Sequence, residues 1–191
     1  MSSLPTALIE APTVINGVNV TALFGVIDAV KANPEIAKFN FRLANKWLGG
    51  VNTRSTIKEF SGALQTHRTK TNGFTVYTGE PPVLLGDDAA PNPGEWLLHS
   101  LVGCLTTTIV YHAAARDIAI DAISSEVEGD IDLRGFLGLA PDVRKGYSAI
   151  RVRMRVKTTA PVATIESLVS YSPMLEVVSA SVPVSVKVET Y

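Results

Sequence analysis

The stretch from Asn92 to Asp117 constrains this chain more than any other. From Trp96 to Ala115 almost every residue is apolar or small, on all sides of a helix, as in a helix surrounded by protein. Its opening has the chemistry of a helix start. Asn92 can cap, Pro93 suits the first helical position, and Glu95 falls in the first turn, where the helix dipole favours an anion. Arg116 complements the opposite pole. His99, Ser100, Gly103, Thr106, Thr107, Thr108 and His112 interrupt the run, so no eighteen consecutive apolar residues survive and a membrane span is not the reading. The pattern predicts the central helix of a soluble domain, and that helix holds the one cysteine, Cys104.

A chain of 191 residues suits a single domain that buries roughly 70% of its unfolded surface. With 46% hydrophobic and 18% charged residues, that surface has room for a subunit interface. A net charge of −1 gives no electrostatic reason to expect nucleic acid or an anionic membrane as partner. A single cysteine excludes an internal disulfide and a cysteine-rich zinc site. The first residues, MSSLPTALIEAP, show no basic region ahead of an apolar core, so the cytoplasm is the expected compartment.

Residues 1–18 read as irregular, punctuated by Pro5, Pro12 and Asn16-Gly17. A helix follows to Ala32, with Leu23, Val26, Ile27 and Val30 at helical spacing, and Pro34 opens a short turn. Residues 1–38 thus form a helical arm too small to own a core, and residues 39–191 form the main domain. From Phe39 the period changes to two, giving a strand as far as Trp47. A second strand is expected over Thr53 to Leu64 and a third over Phe74 to Thr78, with Asn72-Gly73 as a turn signal in the polar run between them. GEPPVLLGDDAAPNP is a loop.

Beyond the helix, Ile123 to Leu133 and Ala149 to Thr158 alternate cleanly. The first carries Glu126, Glu128, Asp130 and Asp132 on one face; the second carries Arg151, Arg153, Arg155 and Lys157. An acidic row one connection from a basic row predicts antiparallel neighbours with paired charges, rather than a nucleic-acid stripe. Helices at Pro161 and at Ser172-Pro173 precede a last strand, Val182 to Val188, where Pro183 marks an edge or a strand start. The class is α+β, antiparallel sheet wrapped on a buried helix.

The segment NPGEWLLHSLVGCLTTTIVYHAAARDI resembles the cysteine-bearing central helix of the osmotically induced protein C / organic hydroperoxide resistance (OsmC/Ohr) family. KWLGG (Lys46 to Gly50), GEPPVLLG, YSPMLEVV and VPVSVKVE fall in the expected order around it, so the likeness covers roughly residues 40 to 191 and leaves the front arm as an addition. The resemblance implies an intertwined homodimer whose two long helices are wrapped by sheets from both chains. It also implies reduction of organic hydroperoxides at a cysteine near the subunit interface, without metal, haem or flavin. An arginine and a glutamate assist that cysteine, and a second cysteine closes a disulfide with it.

A free thiol is about 3% thiolate at pH 7, and the thiolate is the nucleophile. Favouring the anion by two pH units takes about 2.7 kcal/mol, within the reach of a nearby guanidinium. Attack on a peroxide gives a sulfenic acid, which a second thiol rescues from over-oxidation.

By the resemblance, Cys104 matches the peroxide-attacking cysteine. Gly94 stands ten positions before it, where many members carry the glutamate; Glu95 stands nine before, in the register of other branches. Arg54 is the best match for the arginine, with Arg42 and Arg68 open. Trp96, Leu97 and Leu101 are core residues that can double as the wall of an apolar substrate site. Ser172 departs from the pattern, standing where peroxidase members carry the second cysteine of a Cys-Pro pair. A serine cannot form a disulfide, so an external thiol reductant would have to complete the cycle.

Simpler readings stand beside each of these. Cys104 can be an inert core residue, Glu95 a dipole partner and Ser172 a helix cap. Glu95 and His99 share a helix face, but a metal needs further ligands and none is expected. The alternative function is a non-catalytic dimer that binds a small hydrophobic ligand in the same interface pocket.

Overall fold

The computed structural model describes residues 12–69 and 73–191. Strands β1 (Val14–Ile15) and β2 (Val18–Asn19) pair as a hairpin around Asn16-Gly17, both at positive φ. The irregular reading is corrected there: two-residue strands are too short to alternate, and only the Asn-Gly pair signals the turn. Pro5 lies outside the described residues. Helix α1 (Val20–Ala32) starts at Asn19, whose side chain accepts from the Ala22 amide. Leu23, Ile27 and Val30 half-bury one stripe, and Val20 is the one buried residue of this helix.

A short 3-10 turn, Pro34–Ala37, leads into six strands: β3 (Asn40–Phe41), β4 (Ala44–Gly49), β5 (Asn52–Ile57), β6 (Glu59–Gly62), β7 (Gln65–Arg68) and β8 (Phe74–Thr78). They form two antiparallel three-stranded sheets, ordered β4-β5-β8 and β3-β6-β7. The strands expected from Phe39 and Thr53 are therefore each divided, at Arg42-Leu43 and at Lys58. The reversal falls at Ala63-Leu64, both in the left-handed region at φ 48° and 60°, and β7 occupies the start of the polar run expected between two strands. Period-two alternation reports a face, not a bend, and Ala-Leu carries no turn signature. The expected turn at Asn72-Gly73 rests on Asn72, which lies outside the described residues. Phe39 packs flat over Gly62, where a Cβ would come within 2.2 Å of the ring. Phe39, Phe41, Phe60 and His67 continue as a stacked aromatic row.

The expected loop then runs to Asn92, containing only a short 3-10 turn at Pro82–Leu84. Helix α2 (Pro93–Ala114) follows, then β9 (Ala122–Ile131), α3 (Leu133–Phe136), β10 (Tyr147–Lys157), α4 (Val162–Val169), α5 (Pro173–Ser179) and β11 (Val184–Thr190). Leu133 belongs to α3, not to the preceding strand, because the Asp132 carboxylate accepts from the Arg134 amide and starts a helical turn.

β10 is the centre of the third sheet. It pairs antiparallel with β9 in a register that sets Arg151 opposite Glu128 and Arg153 opposite Glu126. Arg151 donates to Glu128 and to Asp130 at 2.6 Å each, so the basic row is answered by the acidic one, as expected. β11 lies on the other side of β10 and runs parallel to it, a correction to an entirely antiparallel sheet. The helical crossover through α4 and α5 returns the chain to the starting end of β10, which only a connection of that length permits. Pro183 stands just before β11, at the sheet edge, where a missing donor does least harm.

The core lies between this sheet and the helices. Leu101, Leu105, Ile109 and Ala113 of α2 meet Ile150, Val152, Met154 and Val156 of β10, with Ile165 and Leu168 of α4 and Val188 of β11. Burying each large side chain contributes about 1.5–3 kcal/mol. The all-round burial expected for the central helix holds on one face only. Gly103, Thr107, Leu97 and Tyr111 look outward, the last two 41% and 54% exposed. Trp47, Leu48, Phe74 and Tyr77 of the β4-β5-β8 sheet are likewise exposed.

Candidate functional site

Helix α2 fixes Cys104 through a firmly built start. Asn92 accepts from the Glu95 amide at 2.9 Å, and the Glu95 carboxylate accepts from the Asn92 amide at 2.8 Å, closing a capping box around Pro93. Glu95 is thus engaged at the helix end. Ten positions before Cys104, Gly94 lies under the Tyr147 hydroxyl, which would sit 2.6 Å from a Cβ there and would have to shift to admit a side chain. Burial first, and the Glu95 charge second, push the Tyr147 phenol above its ordinary value.

Two and a half turns further on, Cys104 is a free, half-buried thiol. Ser172 lies against it. The Ser172 residue is 1% exposed, and its hydroxyl donates to Cys104 Sγ at 3.2 Å. The same oxygen accepts from the Leu175 amide at 3.3 Å, so Ser172 is also the cap of α5. Two residues 68 positions apart are therefore joined by the packing of α2 on α5. Beside Cys104, Thr107 bonds back to the carbonyls of Gly103 and Cys104, at 3.1 Å each.

Along the same helix, His112 stacks on Tyr171 with 4.2 Å between ring centroids, and the Arg116 guanidinium lies over the Tyr171 ring, 5.8 Å from its centroid. Arg116 Nη1 donates to His112 Nδ1 at 3.1 Å and to the His112 carbonyl at 3.0 Å. Burial, then the Arg116 charge, hold the imidazole below its ordinary value.

The remaining sequence-named residues are spread wider. Trp96 is half-buried and donates its indole N–H to the Tyr77 carbonyl at 2.9 Å, fastening β8 to the head of α2. Leu97 faces outward, while Leu101 is fully buried in the core. His99 meets Trp96 edge to face. Arg42 and Arg68 both pair with Glu59, at 3.2 and 3.6 Å. Arg54 is exposed on β5, across from Lys46 and Tyr77, and forms no ion pair among the described residues. Nothing joins it to Cys104 within the chain as described. Tyr147 and the His112–Tyr171 stack escaped the sequence reading, because both contacts link segments whose meeting has no local signature.

Comparisons with known proteins fit this arrangement. Residues 86–188 match the family model described as OsmC-like protein. No curated protein sequence matches the chain. Among solved structures, an OsmC-like protein from Mycoplasma pneumoniae superposes with a TM-score of 0.57 at 13% identity, over 80% of this chain and 96% of that one. An OsmC-like protein of unknown function from Vibrio cholerae gives 0.55 at 11% identity, over 80% and 99%. The organic hydroperoxide resistance protein OsmC from Legionella pneumophila gives 0.51 at 19% identity, over 78% and 97%. At such identities the likeness establishes a shared fold.

Proposed function

The chain belongs to the OsmC-like protein family, and from that premise we propose that it is a homodimeric thiol peroxidase working through one cysteine. The carrying observation is Cys104 itself: a free thiol at the edge of the core, with a hydroxyl on its sulfur at the position where a second cysteine would stand. In this reading the Cys104 thiolate attacks the terminal oxygen of an organic hydroperoxide. The S–O bond forms, the O–O bond breaks, and the alkoxide leaves and takes a proton from water. Sulfur loses two electrons and becomes a sulfenic acid.

Ser172 cannot resolve that product. An external thiol condenses with it, releasing water and leaving a mixed disulfide, and a second external thiol restores Cys104. A compartment rich in reduced thiols, the cytoplasm, suits this cycle. Leu97 and Trp96 supply the apolar wall that favours an organic substrate over hydrogen peroxide, with Leu101 behind them.

The dimer draws support from apolar surface that the single chain leaves uncovered. Trp47, Leu48, Phe74 and Tyr77 on one sheet and Leu97 and Tyr111 on α2 are exposed, more than scattered single residues of a monomer explain. A second copy would cover them and would bring its Arg54, free of any ion pair among the described residues, toward this Cys104. The deciding experiment is mass spectrometry after substoichiometric cumene hydroperoxide. One added oxygen on Cys104, absent in Cys104→Ala, supports the peroxidase; an unmodified thiol favours the ligand-binding dimer.

A further inference from the structure

We propose that Ser172 is a positioning residue for Cys104, holding a hydrogen-bond donor on the sulfur so that it reacts as the anion. The inference deepens the peroxidase reading, since it concerns the same nucleophile. It rests on how the Ser172 hydroxyl is used. Its oxygen receives the Leu175 N–H, which fixes the side chain at the head of α5. Its single proton is then directed at Cys104 Sγ, the one acceptor it meets among the described residues.

The residue is 1% exposed, so water does not offer that proton an alternative. The sulfur is therefore the acceptor of this bond in either protonation state, and the two states do not accept equally well. A thiolate is the better acceptor, and a donor fixed on it favours the charged form. The serine therefore gives up the resolving chemistry of a cysteine and keeps an activating contact. The cap and the sulfur contact are separable functions of one oxygen and one proton.

The test is alkylation of the full chain by iodoacetamide from about pH 6 to about pH 10, where a thiol passes from mostly protonated to mostly ionised. Ser172→Ala removes cap and donor together. Ser172→Gly keeps a tolerated cap but offers no proton, and Ser172→Thr keeps both. At pH 7 the Ala and Gly variants should label about tenfold more slowly than wild type. All rates should converge at the alkaline end, and Ser172→Thr should follow wild type. If Ser172→Ala does not fold, Ser172→Gly carries the comparison alone with the same expectation. Coincident profiles for wild type, Ala and Gly would overturn the proposal, as would a Gly variant that labels like wild type, because the cap alone would then explain the serine. The outcome is separate from the peroxidase question: absence of sulfenylation by cumene hydroperoxide in wild type removes that reading whatever the alkylation profiles show.

Discussion

Replacing Ser172 with cysteine gives the sharpest test of how α2 and α5 meet. The serine oxygen and Cys104 Sγ are 3.2 Å apart, and the longer carbon–sulfur bond carries a new thiol closer, toward the ~2.05 Å of a disulfide. The two positions are 68 residues apart, so the crosslink closes a long loop in the unfolded chain. The chain-entropy relation puts its stabilisation at about 4 kcal/mol. In the reduced variant the α5 cap is lost, at about 1 kcal/mol. For a domain of this size 1 kcal/mol moves the melting temperature by about 2–4 °C. Reduced Ser172→Cys should therefore melt about 2–4 °C below wild type, and the oxidised form about 6–12 °C above it. Intact mass after mild oxidation should fall by the two hydrogens of one disulfide, with no covalent dimer on a non-reducing gel. An oxidised sample that keeps both thiols, or that links only between chains, would refute the Cys104–Ser172 contact.

The N-terminal hairpin gives a second measurement. Asn16 donates to the Ile118 carbonyl at 2.9 Å and accepts from the Ile120 amide at 2.8 Å, clasping the turn after α2. Asn16→Gly keeps the left-handed backbone and loses both bonds, about 1–3 kcal/mol; Asn16→Ala adds about 1–2 kcal/mol of backbone strain. Thermal melts at one protein concentration should rank wild type above Gly above Ala, and three equal melts would mean the arm does not clasp the core. At Ala63-Leu64 the paired replacement Ala63→Asn and Leu64→Gly installs the preferred residues for two positive φ angles and should raise stability by about 1–2 kcal/mol in urea unfolding; no gain would mean the turn adopts another geometry.

His112 predicts a pH dependence. Its imidazole is held below the ordinary value when folded, so the unfolded chain binds the proton more readily. The stability this residue contributes is complete above about pH 6.5 and declines as the pH falls through that value. Melting followed downward from pH 8 should show that loss, reduced in His112→Gln; a wild-type curve flat across it removes the effect.

Much of the C-terminal half was legible because its signals are local. Asn92, Pro93 and Glu95 specify their cap within four residues, and the opposed charges of β9 and β10 specify pairing as well as strands. The N-terminal sheets were harder to read. Alternation through Phe39 and Phe41 gives no notice of the bend at Arg42-Leu43, and Ala63-Leu64 reverses the chain without glycine or asparagine. The parallel direction of β11 depends on the path through α4 and α5, not on its own valines. Within the site, the resemblance named Cys104 and Ser172 together, and the structure sets the serine hydroxyl 3.2 Å from the sulfur. Gly94 could be read as a missing glutamate, but not that the Tyr147 phenol fills its space, since that contact spans 53 positions of sequence.

The separation of Cys104 and Ser172 along the chain has a consequence for biogenesis. At synthesis rates of about 5–20 residues per second, the 68 positions between them take roughly 3–14 s to appear on the ribosome. During that interval the nascent thiol lacks the serine, so its exposure to oxidants and alkylators is governed by chaperones and translation speed rather than by the finished packing of α2 on α5.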